Sequence, residues 1–259
     1  RPLRGMHLAE QIPYSFHQWK LMILPPSLKS QMSCHRHQLK RMATNFASLH
    51  FAHRHAAADR LPHRLVGVYV PVVSAAVFGR DGFRGATVKS LCREAGLTER
   101  YFYESFANSE ALFAEVYKTL VKRLEDDVVA AIDAAPAEPE ATARAGLHVF
   151  FETMYRQPGT ARILLIEIFG ISGDIDRLYR ETTQNFTRML QELVGSIFAL
   201  GEGSGTDARI LSTGLVGSTI HIAMYWTLNR YGDPLEVVVE SSLALYVAMA
   251  RQSREQDRA

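Results

Sequence analysis

The sequence has few cysteines, few acidic residues near its start and no apolar run long enough to span a membrane. Only Cys34 and Cys92 occur in 259 residues, which excludes a disulfide-stapled secreted scaffold and favours a reducing compartment, the cytoplasm. An apolar run covers residues 65–78, short of the about 20 residues that a transmembrane helix needs. With 47% apolar residues, the chain is expected to be a soluble globular protein without a membrane partner.

Acidic residues are nearly absent from residues 1–64, which carry ten Lys or Arg, two Asp or Glu and eight of the ten His. The rest of the chain carries nineteen Lys or Arg and twenty-five Asp or Glu. No apolar period persists in this front, so we predict a basic, His-rich, disordered extension over residues 1–64. A targeting segment is one alternative. An over-extended reading frame is another, because the chain begins at Arg1 rather than Met.

Strict alternation of apolar and polar residues is also missing, and beyond residue 65 apolar residues recur every three to four positions. This spacing predicts helices and no strand. The longest apolar stripe follows Asn108, a suitable N-cap, and turn-forming residues separate the later segments. We expect an all-α fold of about nine helices: three short ones within 65–106, then 108–134, 140–156, 158–170, 174–199, 206–230 and 234–251.

Residue patterns for catalysis or metal binding are absent as well. The sequence has no Ser/His/Asp spacing, no His-Glu-x-x-His and no paired carboxylates, so we expect neither an enzyme nor a cofactor or metal centre. The glycine-rich segment 201–205 does not follow a strand and is interpreted as a connector. A metal-responsive binder is the weaker alternative, because ligand-type residues occur in the front: Cys34, His35, His37, His50, His53 and His55.

Residues 65–106 carry the pattern from which function can be argued. Gly82 is a suitable terminator of the first helix, and Thr87 is a suitable N-cap of the second. Gly96 supplies the next turn, and Thr98 is placed to cap a third short helix. Two short helices joined by a glycine turn are typical of a helix-turn-helix, whose second helix enters the major groove of DNA.

This region closely resembles the TetR family of transcriptional regulators. The resemblance implies three amino-terminal DNA-binding helices, residues 65–107, and a helical effector-binding and dimerisation domain, residues 108–259. The residues that match, in the family's order and spacing, are Phe78, Gly82, Phe83, Thr87, Val88, Leu91, Cys92, Arg93, Glu94, Ala95, Gly96, Leu97, Thr98, Phe102, Tyr103, Phe106, Glu110, Ala111 and Leu112.

The resemblance assigns DNA contacts to residues of the second and third helices. Tyr103 matches a family tyrosine that commonly contacts the DNA backbone, and Thr87 matches a threonine that touches a phosphate. Arg100 is the leading candidate for a base contact, because a guanidinium pairs bidentately with guanine. Phe102 and Phe106, spaced by four, are expected in the core. The predicted DNA-binding residues are Thr87, Lys89, Arg93, Thr98, Arg100, Tyr101 and Tyr103.

Four residues depart from the family pattern. Glu99 stands where a basic or small residue is frequent, Glu104 where a histidine is frequent, and Ser109 where a lysine is frequent. These changes lower the positive charge of the DNA-facing side. For Lys89 and Arg93, the alternative to a DNA contact is a helix face that is simply exposed to solvent. Pro71 falls inside the first helix, where it removes an N–H and is expected to kink or delay that helix.

The later helices contain more aromatic and methionine residues than simple helix filling requires. In the resembled family such helices enclose an apolar effector, and pockets of this kind hold only a few polar groups. Plain core packing is the alternative for each residue. The predicted ligand-binding residues are Phe151, Met154, Tyr155, Phe169, Phe186, Met189, His221 and Tyr225.

The last two long helices, 206–230 and 234–251, are apolar on several faces and therefore need a second cover. The resembled family dimerises through these helices, so we expect a homodimer that binds a palindromic double-stranded DNA operator. The favoured function is an effector-responsive repressor with a small apolar effector. A helix-turn-helix activator and a metal-responsive DNA-binding protein are the alternatives.

Overall fold

The computed structural model of the chain describes residues 63–197 and 207–256, all within the unit Arg60–Ala259. These ranges form nine α-helices and no strand, which confirms the all-α prediction. The predicted basic extension and the connector 201–205 lie outside the described residues. The helices are α1 (His63–Asp81), α2 (Val88–Ala95), α3 (Glu99–Ser105), α4 (Ser109–Ala134), α5 (Pro139–Arg156), α6 (Pro158–Arg162), α7 (Gly173–Ile197), α8 (Ala208–Leu228) and α9 (Leu235–Gln256).

Polar side chains begin several of these helices by capping backbone N–H groups. The Thr87 hydroxyl accepts from the Ser90 N–H at 3.1 Å, and the Ser90 hydroxyl accepts from the Thr87 N–H at 3.0 Å. The Asn108 carbonyl oxygen accepts from the Ala111 N–H at 2.8 Å and starts α4. Such caps stabilise a helix by about 1 kcal/mol each. The predicted caps at Thr87 and Asn108 are confirmed.

Proline lies inside α1 without delaying its start. The helix begins at His63 and continues through Pro71 to Asp81. Pro71 lacks the N–H that the carbonyl four residues earlier would accept, but the ladder resumes on both sides. The predicted delay of α1 is therefore wrong, because the single hydrogen bond that Pro71 removes does not prevent the helix from beginning at His63.

The three amino-terminal helices share a core with the start of α4. Phe78 and Phe113 are fully buried, and their ring centroids lie 5.2 Å apart edge to face. Phe83, in the turn after α1, packs against both rings. Leu91 and Phe102 contribute to the same core from α2 and α3. Buried aromatic rings dominate core energetics, so α1 is packed onto α4, while α2 and α3 pack against α1 and against each other.

The remaining helices form a body around α5. Helix α5 packs against both α4 and α9, α7 packs against α8, and α1 contacts α6. An ion pair between Arg144 and Glu240 joins α5 to α9. The helices α4, α5, α7, α8 and α9 leave a cavity between them.

The prediction of one helix over 158–170 is wrong in detail. Helix α6 ends at Arg162, and a π-turn follows over Ile163–Glu167. Gly170, with φ 72°, ends the segment. A π-turn has i→i+5 hydrogen bonds, so it widens the helix by one residue. The apolar character of the sequence is the same as in an ordinary helix and does not reveal the turn.

Candidate DNA-binding surface and effector cavity

The turn between α2 and α3 has the geometry expected of a helix-turn-helix. Gly96 adopts φ 65° and ψ 31°, a left-handed conformation that favours glycine. Its N–H donates to the carbonyls of Cys92 and Arg93, which closes α2. Leu97 is buried directly after the turn and anchors it to the core. The predicted turn at Gly96 is confirmed.

Helix α3 has one buried and one exposed face. Phe102 is 1% exposed, and Phe106 is buried after the last turn of the helix. Both were predicted in the core, and both are confirmed there. Tyr103 lies on the other side and is 57% exposed. A helix of only seven residues thus presents a polar face to solvent while one aromatic side chain fixes it to the protein.

The Arg100 guanidinium is exposed but has a partner on its own helix. Its Nε lies 3.1 Å from Glu104 Oε1, and its side chain is 84% exposed. An exposed i, i+4 pair contributes only about 0.3–0.5 kcal/mol. Arg100 can therefore leave Glu104 for a base or phosphate at small cost, although the glutamate lowers the positive potential around it.

The other predicted DNA-binding residues lie around this face with different exposure. Thr87, Lys89 and Arg93 are exposed on or beside α2, and Tyr101 is half-buried. Thr98 is exposed and precedes α3, but its hydroxyl makes no capping hydrogen bond. Thr98 is the N-cap residue of α3 as predicted, but only through its carbonyl, which accepts from the Phe102 N–H at 3.3 Å.

The cavity in the body has a volume of about 150 Å³ and is open to solvent at its mouth. Its walls come from α4, α5, α7, α8 and α9 and from Leu164 and Leu165 of the π-turn. None of the described residues that line it carries a charge. Since burying an unpaired charge is costly, these walls favour a neutral apolar occupant.

Hydroxyl groups are the main polar atoms of the cavity. The Thr219 and Tyr246 hydroxyls lie 3.0 Å apart. Burial raises the pKa of Tyr117, and the hydrogen bond with Thr182 acts in the opposite direction. Burial also raises the pKa of Tyr246, whose bond with Thr219 again opposes it. Both phenols therefore stay protonated at neutral pH and can hydrogen-bond a neutral polar group.

Comparison with known proteins identifies the amino-terminal helices. Residues 72–116 match the family model described as bacterial regulatory proteins, tetR family. The HTH-type transcriptional regulator EthR of Mycolicibacterium smegmatis is 31% identical over 80 residues, which is 31% of this chain and 37% of that relative. Residues 72–116 therefore form a domain of the type found in this family. The curated relative is thus matched over less than two thirds of its length.

Solved TetR-like structures extend the likeness from these helices to the body. The fatty acid degradation regulator FadR from Bacillus halodurans aligns with a TM-score of 0.62 at 16% identity, over 72% of this chain and 95% of that one. FadR from Bacillus subtilis, solved in complex with stearoyl-CoA, aligns with a TM-score of 0.57 at 17% identity, over 69% and 96%. At such identities the likeness concerns the fold. These relatives are transcriptional regulators rather than enzymes.

The eight predicted ligand-binding residues fall into three groups. Met154, Phe186 and Met189 line the cavity. Phe151 is fully buried in the core, where its ring meets Trp226 edge to face. The other four do not line the cavity and are exposed: Tyr155, Phe169, His221 and Tyr225.

The prediction that these four exposed residues line the cavity is wrong for a geometric reason. His221 and Tyr225 are four residues apart on α8, so they share one helix face, and that face points away from the cavity. Tyr155 stacks on Trp226 from the outside, with centroids 5.7 Å apart. Phe169 packs on Tyr179 after the π-turn. Aromatic composition alone does not tell which face of a helix is turned inward.

Several cavity residues were missed by the sequence reasoning. Tyr117 and Leu124 belong to the apolar stripe of α4 that was interpreted as plain helix packing. Tyr179, Thr182 and Tyr246 come from α7 and α9. A signal was present, because Tyr117 places a hydroxyl within an otherwise apolar stripe, and a buried hydroxyl needs a partner.

Apolar side chains remain exposed along α8 and α9, the helices expected to form the dimer contact. Gly214 and Gly217 of α8 are exposed too, with open space where a side chain would be. A contiguous exposed apolar patch on a monomer marks an interaction site, whereas single exposed apolar residues do not. The exposed apolar residues of the two helices are Ile210, Tyr225, Leu228, Val237 and Leu245.

Neither a metal cluster nor a membrane span occurs in the described part of the chain. No group of three His, Cys, Asp or Glu side chains there is placed to hold a metal ion. The Cys and His residues of the front, on which the metal-responsive alternative depends, lie outside it. No helix within 63–197 or 207–256 combines the length and apolar character needed to cross a bilayer.

Proposed function

We propose that this chain is an effector-responsive repressor that binds a palindromic operator as a homodimer in the cytoplasm. The observation that carries the proposal is the combination of an exposed, polar α3 and a charge-free cavity in one chain. The first fits a duplex groove, and the second fits a small apolar molecule.

The proposed DNA contacts divide by chemistry. Arg100 and Tyr103, exposed on α3, are the proposed groups inside the groove, with Arg100 reading a guanine. Thr98 and Tyr101 flank them on the same short helix and its start. The α2 side contributes contacts to phosphates, which fix register and make affinity salt-dependent. The proposed phosphate contacts are Thr87, Lys89 and Arg93.

The proposed effector is an apolar molecule with a long acyl-like chain. The uncharged walls support an occupant whose buried part is neutral, so any charged end would stay at the mouth of the cavity. The Thr219–Tyr246 pair offers a place for a neutral polar group. The likeness to FadR from Bacillus subtilis, a structure in complex with stearoyl-CoA, supports the same class.

The proposed dimer uses the exposed apolar residues of α8 and α9. A second copy is the simplest cover, because a two-fold contact places the same patch on both sides. Two α3 helices related in this way fit two half-sites of a palindrome one helical turn or a multiple of it apart.

Selection of genomic fragments by the purified full chain tests the proposal. Fragments that bind are expected to share a palindrome, and sedimentation of the complex is expected to show two chains per site. Stearoyl-CoA added to the complex is expected to release the DNA. Fragments without a common sequence, or a monomeric complex, would contradict the proposal. A reporter placed behind the selected fragment then distinguishes repression from activation.

A further inference from the structure

The π-turn Ile163–Glu167 lies where the cavity meets the DNA-binding helices. Leu164 and Leu165, in the middle of the turn, line the cavity. Arg162, directly before the turn, contacts the end of α1, and Glu167, the last residue of the turn, contacts Phe83 just after α1. One short segment therefore contacts both the candidate effector site and the helices proposed to bind DNA.

The wide turn brings Arg162 and Glu167 onto one face of the helix. The i→i+5 hydrogen bonds of a π-helix bring residues five apart to the same side of the helix. In an α-helix of 3.6 residues per turn, the same two residues would be roughly 140° apart. In this structure, Arg162 Nε and Nη2 each lie 2.8 Å from Glu167 Oε1. The ion pair thus depends on the π-geometry.

This ion pair holds the chain at the end of α1. Arg162 Nη1 donates to the Arg80 carbonyl oxygen at 2.7 Å, and Glu167 Oε2 accepts from the Phe83 N–H at 2.8 Å. The Glu167 side chain is only 16% exposed, so these charge-assisted hydrogen bonds are partly shielded from water. We refer to Arg162, Glu167 and the backbone groups of Arg80 and Phe83 as the α1 clamp.

Close contacts at two glycines, one in α1 and one in the turn after it, leave little space for α1 and the π-turn to move independently of each other. A Cβ at Gly82 would lie 2.7 Å from Glu167 Oε1, and Gly82 has φ +75°. A Cβ at Gly79 would lie 2.7 Å from the Cα of Gly159 in α6. Backbone meets backbone at the second site, so the π-turn cannot shift far unless α1 moves or the α1 clamp opens.

We propose that the π-turn and the α1 clamp couple occupancy of the cavity to the position of the DNA-binding helices. An occupant that displaces Leu164 and Leu165 changes the pitch of the turn, separates Arg162 from Glu167 and releases the end of α1. The closed clamp holds α1–α3 for operator binding, and the open clamp does not. This inference rests on the proposed effector-responsive function.

The first part of the test fills the cavity with a side chain of the protein itself. Ala143→Phe adds a ring from α5, and Val121→Phe adds one from α4, so that failure of one variant to fold leaves the other. Operator affinity is measured by fluorescence polarisation, and deuterium exchange of the Phe83 amide is measured without DNA. We expect operator binding to weaken between about 5- and 150-fold, the usual range of allosteric coupling, and Phe83 to exchange faster.

The second part removes the clamp. Glu167→Gln keeps the size of the side chain but removes its charge, so it should weaken operator binding by itself and make Ala143→Phe nearly without further effect. Glu152→Gln is the matched control, because it breaks an exposed pair with Arg156 on α5, remote from α1. The control should change neither operator affinity nor exchange at Phe83.

The results separate this inference from the proposed function. If filling the cavity weakens operator binding by the same factor with and without Glu167→Gln, the proposed role of the α1 clamp is wrong. The proposed operator binding is not affected by that result. Filled variants with the affinity and Phe83 exchange of the unaltered chain would overturn the role of the clamp too. If no form of the chain binds a selected duplex, the proposed function is contradicted, and exchange at Phe83 in the filled variants still decides the role of the clamp.

Discussion

The DNA-binding helices and the body place their polar groups in opposite ways. On α3, Arg100 and Tyr103 reach solvent from a helix that is held by buried Phe102. In the body, the hydroxyls of Tyr117 and Tyr246 face inward, between helices that are distant in sequence. A duplex needs an accessible polar face, whereas a small apolar molecule needs removal from water. The polar face of α3 is built from a few neighbouring residues. The cavity forms only where the helices of the body pack together.

Neighbouring residues of α3 offer the strongest test of this comparison. Phe102→Ala should lower the free energy of unfolding by about 3–5 kcal/mol, because it empties a filled core position. Tyr103→Ala, one residue further, should change it by less than about 1 kcal/mol, since the side chain is exposed. Urea unfolding of both variants measures the difference. Equal destabilisation would mean that Tyr103 is a packing residue.

The junction between the two regions is tested by the next largest effect. Gly82→Ala should lower the free energy of unfolding by about 1–3 kcal/mol, because it combines a left-handed φ with an overlap on the α1 clamp. Gly173→Ala is the matched control, since a Cβ there has nothing within 4 Å. Thermal unfolding should separate the two variants. A Gly82→Ala protein as stable as the control would contradict the tight contact between α1 and the π-turn.

Alkaline pH probes the buried phenols of the cavity. Because burial raises the pKa of Tyr117 in the folded chain, the unfolded chain loses this proton first, near pH 10. Stability should be constant below that pH and fall above it, by at most about 1.4 kcal/mol per pH unit for one tyrosine. In Tyr117→Phe the fall should be less steep. Urea unfolding between pH 9 and 11 makes the comparison, and equal slopes would place Tyr117 in water.

A substitution at Glu104 is expected to strengthen DNA binding by the exposed face of α3 rather than to weaken it. Glu104→Gln removes the negative partner of Arg100 and should strengthen operator binding by about 0.5–1 kcal/mol. Glu140→Gln, which changes an exposed pair on α5, is the control and should leave binding unchanged. Polarisation titrations at low salt measure both. Weaker binding by Glu104→Gln would indicate that the glutamate positions Arg100 for its contact.

Local signals in the sequence were sufficient for the DNA-binding helices. Thr87 and Asn108 cap helices through hydrogen bonds to residues three positions away. Gly96 takes the left-handed conformation that its turn requires. Phe102 on α3 and Phe106 directly after it both face the core, as their spacing of four predicted. Each of these features depends on a few neighbouring residues.

The cavity could be predicted only in part, because it depends on how long helices are rotated against each other. Met154, Phe186 and Met189 line it as expected, but His221 lies on the outer face of α8. The apolar residues of α8 are spread around much of the helix, so the sequence does not identify the inner face. The π-turn was missed for a related reason, since its residues are as apolar as those of an ordinary buried helix.

The central claim is that the exposed face of α3 reads a duplex, and one titration tests it most directly. A labelled operator from the genomic selection is titrated with the unaltered chain, Arg100→Ala and Tyr103→Phe, and the unfolding midpoint of each protein is recorded. We predict binding weaker by about 1–3 kcal/mol for Arg100→Ala and a smaller loss for Tyr103→Phe, with unchanged unfolding midpoints. Unchanged affinity, or loss of binding together with loss of the fold, would contradict the account.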